Sequence, residues 1–277
     1  MILASLVDAT SAIHWESLGL DPVAVDLGFF KIRWYSLAYI TGIIVGWWYL
    51  AKLCAQPGSP MAKRHVDDFV FYATLGIILG GRIGYILFYK PEMLSQPASM
   101  LKLWEGGMSF HGGLIGVLVA LALFAKRRGR RVADVFDFAA ALPGIGILAV
   151  RVGNFINGEL WGRPGDVPWA MLVDGVARHP TQLYEALLEG ALLAAVLWWF
   201  TSKPRPQWAP AGLFLIMYSS GRLIVEFWRL PDAHIGYLAG GWLTMGHVLT
   251  LPMLLAGVAL LLMAYRRNVP SGNRTTA

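Results

Sequence analysis

The chain has 277 residues, is 56% hydrophobic and only 14% charged, and carries a formal net charge of +6. Average soluble domains carry about 25% charged residues, so this composition excludes an ordinary soluble domain and defines an integral membrane protein. The positive excess sits in short basic loops and needs no nucleic-acid partner to explain it.

Residues 1–30 contain no Lys or Arg but hold Asp8, Glu16, Asp21 and Asp26. A signal peptide begins with basic residues, so an amphipathic or irregular segment on the outer surface is expected instead. About seven apolar stretches then follow that are long enough to span, at 34–52, 69–89, 108–125, 133–152, 183–200, 211–229 and 245–265. The expected fold is therefore all-α: one polytopic helical domain over 1–267, with an ordered outer loop at about 153–182 and a flexible cytoplasmic tail at 268–277. Cys54, the single cysteine, allows no internal disulfide and reads as a packed small apolar residue.

Loop charge sets the orientation. Basic residues collect at Lys52, Lys63 and Arg64, at Lys126 to Arg131, at Lys203 and Arg205, and at Arg266 and Arg267. The alternate loops carry Glu92, Glu105, Glu159, Asp166, Asp174 and Asp232. By the positive-inside rule the N-terminus lies outside and the C-terminus in the cytoplasm. Tyr35, Arg82, His111, Arg151, Arg222 and Glu226 then all fall toward the outer side. Ionisable residues inside spans are costly and commonly functional, and several at one depth point to a polar chamber for an anionic substrate.

Three motifs carry this chemistry. Gly106 to Gly116 (GGMSFHGGLIG) opens a helix around His111, whose ring can act as a base or a donor. The alternative is a core histidine bonded to a backbone carbonyl. Arg151 to Gly162 (RVGNFINGELWG) places Arg151 and Asn154 on one helical face, with Asn157 and Glu159 following at the mouth. Its arginine can grip a phosphate through two parallel hydrogen bonds, or can instead pair with a glutamate to close a helix end. Tyr218, Arg222 and Glu226 share a stripe at intervals of four, serving either as a structural ion pair or as a phosphate clamp. Gly80 to Gly84 (GGRIG) reads equally as helix packing around a buried arginine. No Walker A loop, HExxH or Cys/His metal cluster occurs, so no nucleotide, metal or other cofactor is expected.

HGGLIG at 111–116, RVGNFINGELWG at 151–162, HPTQLYE at 179–185 and RLIVEFWRLPD at 222–232, extended by GGRIGYILFY at 80–89 and WEGGMSFHGG at 104–113, resemble bacterial prolipoprotein diacylglyceryl transferases. The resemblance runs in order from Trp34 to Arg267. Ser36 stands where the family usually has glycine, and the loop at 163–179 is short.

The resemblance implies transfer of a diacylglyceryl group from phosphatidylglycerol to the lipobox cysteine of a prolipoprotein signal peptide. A thioether forms and glycerol phosphate is released, in the first step of lipoprotein maturation. It implies a bacterial plasma (inner) membrane location, with the site facing the outer leaflet. It maps the important positions onto Tyr35, His111, Arg151, Asn154, Glu159, Gly162, Tyr218, Arg222 and Glu226. His111, Arg151, Arg222 and Tyr35 are the expected catalytic set. Arg151, Asn154, Glu159, Gly162, Tyr218, Arg222 and Glu226 are expected to bind phosphatidylglycerol. The group that takes the thiol proton stays open.

Two other classes compete. An anion or lipid transporter would place polar residues through the full membrane depth, whereas here they cluster in the outer half. A phosphatidyl transferase of the metal-dependent kind needs paired acidic residues, and the sequence has no such cluster.

Overall fold

A computed structural model of the chain describes residues 13–103, 106–231 and 236–270. Residues 1–12 of the N-terminal segment, Glu105, Asp232 and residues 271–277 of the expected tail lie outside the described residues.

The protein is predominantly helical. Six helical stretches among the described residues are long and apolar enough to cross a membrane. They are α1 (Trp34–Cys54), the stretch ending in α2 (Val66–Tyr89), α4 (Phe110–Arg127), the stretch formed by α5 (Val132–Ala140) and α6 (Pro143–Ile156), the stretch Thr181–Thr201, and α10 (Met245–Arg267). A short α3 (Pro97–Met100) precedes α4. The expected span at 133–152 is broken at residues 141–142, because Pro143 lacks an N–H and starts a new helix. The Thr181–Thr201 stretch begins as α7 (Thr181–Glu185), widens into a π-helix over Ala186–Leu192 and ends as α8 (Leu193–Thr201). The expected span at 211–229 appears as α9 (Ala209–Glu226), which is not among the six apolar stretches. Its run is interrupted by Ser219, Ser220, Arg222 and Glu226.

The all-α expectation needs one correction: five short strands are also present among the described residues. β1 (Ile13–His14) pairs in parallel with β4 (Met171–Val173), which pairs antiparallel with β5 (Val176–Arg178). β2 (Val23–Asp26) and β3 (Lys31–Arg33) form a separate antiparallel pair. These segments have no helix to satisfy their backbone groups, so they pair with one another. The N-terminal segment and the long loop are thereby tied together, and the Trp15 indole adds a 3.1 Å hydrogen bond to the Phe155 carbonyl at the end of α6.

Small residues let the helices approach. A Cβ built on Gly80 of α2 would lie 2.7 Å from the Gly116 Cα of α4, and one on Gly84 would lie 2.7 Å from the Gly112 Cα. Gly212 and Gly257 do the same for α9 and α10, where a Cβ on Gly212 would sit 2.8 Å from the Leu261 nitrogen. Helices in lipid gain little from the hydrophobic effect between themselves, so close backbone packing of this kind holds them together. An apolar core of Leu50, Phe69, Leu121, Phe124 and Val135 packs α1, α2, α4 and α5. Asp137 of α5 accepts hydrogen bonds from the Trp208 and Ala211 backbone N–H groups at 2.7 and 3.0 Å, fixing the start of α9.

Candidate active site

α6, α7 and α9 bring a cluster of opposite charges into the bundle. Glu185, at the end of α7, is fully buried. Its Oε2 lies 2.8 Å from Arg151 Nε on α6. Its Oε1 accepts from Arg222 Nη1 on α9 at 3.3 Å and also from Arg229 Nη1 just beyond α9. Glu226, one turn after Arg222, pairs with Arg222 Nη2 at 2.8 Å and approaches Arg229 Nε at 3.5 Å. The second Glu226 oxygen accepts from the Thr244 hydroxyl at 2.6 Å, and that hydroxyl also meets His247 Nδ1 at 3.0 Å. Three guanidiniums and two carboxylates thus pair with one another in a place where a lone charge would be expensive.

The three arginine side chains are not sealed. Arg151, Arg222 and Arg229 keep 22%, 19% and 20% of their side-chain surface exposed, against 0% and 5% for Glu185 and Glu226. The carboxylates are thus the buried supports of three partly exposed arginine side chains. Such an arrangement holds the planar guanidiniums in fixed positions.

Arg151 also continues toward the mouth. Its Nη1 donates to Asn154 Oδ1 at 3.4 Å, and Asn154 Nδ2 donates to Glu159 Oε1 at 3.0 Å. Asn157 donates to the same oxygen at 3.0 Å. Glu159 therefore reaches Arg151 only through Asn154, and the direct partner of Arg151 is Glu185. The loop after α6 is pinned in place. Thr181 Oγ1 donates to the Leu160 carbonyl at 3.0 Å, Gly162 N–H to the His179 carbonyl at 2.9 Å, and Arg163 N–H to the Trp228 carbonyl at 2.8 Å. A Cβ on Gly162 would lie 2.5 Å from the Trp228 carbonyl oxygen, so only glycine fits beside the residue that precedes Arg229.

Tyr35, near the start of α1, packs on α6 at Gly153, where a built Cβ would meet its ring at 3.4 Å. It also meets the Tyr39 ring edge-on at 5.3 Å. Tyr218 stacks on Phe214 along the α9 face that carries Arg222. The structure thus gathers Tyr35, Arg151, Asn154, Glu159, Gly162, Tyr218, Arg222 and Glu226 around α1, α6 and α9. His111 stands apart. It is exposed on α4, its recorded contact is the Phe110 ring, and no hydrogen bond or ion pair joins it to the arginine cluster among the described residues.

Arg82 takes the packing role. It is 6% exposed, and its guanidinium donates to the carbonyls of Ser99, Met100, Lys102, Gly106 and Gly107 at 2.6–3.3 Å. All five donors go to backbone, so this arginine shapes the segment leading into α4.

Sequence reading passed over Glu185, Arg229, Thr244 and His247. Glu185 and Arg229 each lie inside a motif, HPTQLYE and RLIVEFWRLPD, without an assigned role there. The available signal was a glutamate within the apolar stretch 183–200, which is as anomalous in a span as the arginines are.

Outside the spans, His179 is held below the ordinary histidine range, first by burial and then by the Arg163 guanidinium. Its Nδ1 lies 3.0 Å from the Tyr184 hydroxyl.

These features define a class: a multi-pass helical membrane protein with interior arginines backed by buried glutamates. The comparisons narrow the class. The model of the prolipoprotein diacylglyceryl transferase family matches residues 22–263. The chain is 49% identical over 258 residues to the phosphatidylglycerol–prolipoprotein diacylglyceryl transferase of Ectopseudomonas mendocina, covering 91% of this chain and 97% of the relative. It is 51% identical to the transferase of the same name from Methylococcus capsulatus, covering 90% and 97%. It is 53% identical to that of Nitratidesulfovibrio vulgaris, covering 88% and 93%. The chain belongs to the prolipoprotein diacylglyceryl transferase family.

Proposed function

We propose that this protein transfers the diacylglyceryl group of phosphatidylglycerol to the lipobox cysteine of prolipoproteins, with the Arg151–Arg222–Arg229 cluster receiving the lipid phosphate. The observation that carries the site assignment is the pair of buried glutamates holding three partly exposed arginine side chains. Family membership supports the reaction, and the cluster supports an anionic lipid as donor.

In the reaction the cysteine thiolate attacks the glycerol carbon that bears the phosphate oxygen. The carbon–sulfur bond forms, the carbon–oxygen bond breaks, and the electron pair leaves with glycerol phosphate. The leaving group gains negative charge as that bond breaks. Arg151 and Arg222 neutralise it, and preorganised donors of this kind are worth about 2.7–4 kcal/mol each by analogy with oxyanion holes. Glu185 and Glu226 orient the arginines. Asn154 and Tyr35 bond lipid or phosphate oxygens, while Tyr218 and Glu159 line the approach and Gly162 lets the loop beside it pack against Trp228. His111 is the candidate to take the thiol proton, and it stands on α4 apart from the arginine cluster. No step calls on a metal or other cofactor.

α9 spans the membrane as a seventh helix, its polar stripe shielded by α7, the π-helical stretch Ala186–Leu192 and α10. The N-terminal segment and the 153–182 loop then lie on the outer side, where an exported signal peptide and the headgroup of an outer-leaflet lipid meet, and the basic loops lie in the cytoplasm. Family membership supports the bacterial inner membrane as its location.

The test is to incubate purified protein in detergent with phosphatidylglycerol and a lipobox peptide, and to measure glycerol phosphate released and peptide mass. Release that requires the peptide cysteine, with the peptide gaining one diacylglyceryl group, is expected. Release that continues with a cysteine-free peptide would overturn the transferase reading. His111→Ala should abolish transfer while lipid still binds, and undiminished transfer by that variant would remove His111 from its role.

A further inference from the structure

Glu189 lies four residues after Glu185, on the π-helical stretch Ala186–Leu192. It is fully buried, and neither carboxyl oxygen has a hydrogen-bond partner among the described residues. Its side chain packs against α9 at Gly221, where a built Cβ would lie 3.3 Å from its Cγ. The ionisable groups facing it are Arg151 from α6, Glu185 from α7, Tyr218 and Arg222 from α9, and Arg229 beyond α9. α8 contributes none, since its sequence LAAVLWWFT holds no titratable residue.

The arginines are already engaged by Glu185 and Glu226. Three guanidiniums against two paired carboxylates leave one positive charge in the cluster. A third ionised carboxylate would cancel that charge, and it would do so as a buried anion with no hydrogen bond, a combination that proteins avoid. We infer that Glu189 carries its proton in the resting enzyme, a neutral acid that leaves the arginine cluster with one net positive charge, matched to the single negative charge of a phosphodiester. Glu189 is a positioning residue: it touches no substrate and acts by setting the charge that the arginines present. The π-helix serves this arrangement by turning a carboxyl group into the bundle, consistent with the frequent occurrence of such segments at functional sites. This inference rests on the assignment of the arginine cluster as the lipid phosphate site.

The probe is phosphatidylglycerol binding to the purified full-length protein with no peptide present, so that no acceptor thiol titrates. A phosphodiester does not change charge between about pH 5.5 and about pH 9, so a change in affinity over that range belongs to the protein. In the unmodified protein the Kd should rise at least about fivefold over this range as the carboxyl ionises. Glu189→Gln, which mimics the protonated acid, should lose most of that rise, with Glu189→Leu as the second neutral variant should the first fail to fold. Neutral variants that bind phosphatidylglycerol more tightly than the unmodified protein at about pH 5.5, the mark of a carboxylate already ionised there, would overturn the inference, as would a rise in Kd that they reproduce in full. Arg151→Ala and Arg222→Ala separate the two assignments. If neither weakens lipid binding, the arginine site itself is wrong, whatever Glu189 does.

Discussion

Arg222 and Arg229 stand seven residues apart, one inside α9 and one beyond its end, yet both donate to Oε1 of Glu185 on a different helix. Glu185 gives its other oxygen to Arg151 at 2.8 Å. A single buried carboxylate therefore fixes three arginines relative to one another and joins α6, α7 and α9 at the site.

Glu185→Ala removes that joint and leaves three guanidiniums short of a counter-charge. Breaking a buried ion pair from one side costs about 3–5 kcal/mol. The expected outcome is a lower unfolding temperature in detergent together with loss of transfer activity. Unfolding midpoints and turnover of the purified variant check both.

Arg82→Lys should damage the protein although charge is kept. Five carbonyls between Ser99 and Gly107 depend on the fork of the guanidinium. An ammonium offers three donors and cannot span them. Each hydrogen bond to a charged group contributes about 1.5–3 kcal/mol, so loss of even two is large. Limited proteolysis should cut the segment around 96–107 faster in the variant.

Gly116→Ala tests the α2–α4 contact. Its new methyl would run into the Gly76 carbonyl and lie 2.8 Å from the Gly80 Cα. Both neighbours are backbone, so the helices must separate. Overpacking costs about 1–3 kcal/mol, and a fall in thermal stability of the detergent-solubilised protein is the expected reading.

His179 gives a pH dependence of known sign. Burial and Arg163 depress its folded-state value, so the unfolded chain binds the proton more readily. Its contribution to stability is present above the unfolded value and is lost as pH falls through it toward the lower folded one. Thermal midpoints should drop between about pH 7.5 and about pH 5, and His179→Gln should flatten that part of the curve.

Much of this was legible in sequence because membrane physics is coarse. Apolar run length located the helices, and the cost of a buried charge singled out Arg151, Arg222 and Glu226. The Arg222–Glu226 pair followed from their spacing of four. Partners on other helices were not legible, because spacing along one helix says nothing about which face meets it. Arg151 was read toward Glu159, only eight residues away, while its partner Glu185 lies thirty-four residues on, across a hairpin and a loop. Arg82 illustrates the same limit: its anomaly in an apolar run was plain, but the five backbone carbonyls that satisfy it come from the one-turn α3 and the residues after it, too short a stretch to show periodicity. The break before Pro143 was carried by a single residue within an apolar run. The small sheets were missed because strands of two to four residues leave almost no pattern of their own.

The most direct measurement is diacylglyceryl transfer by Arg151→Ala and Arg222→Ala, each compared with the unmodified protein at equal amounts of folded protein in detergent. If the arginines bind and neutralise the lipid phosphate, kcat/KM for phosphatidylglycerol falls by about 100-fold or more in each, in line with removal of a preorganised donor, while peptide binding persists. Transfer at the normal rate by either folded variant would contradict the assignment of that arginine, and normal rates in both would contradict the site.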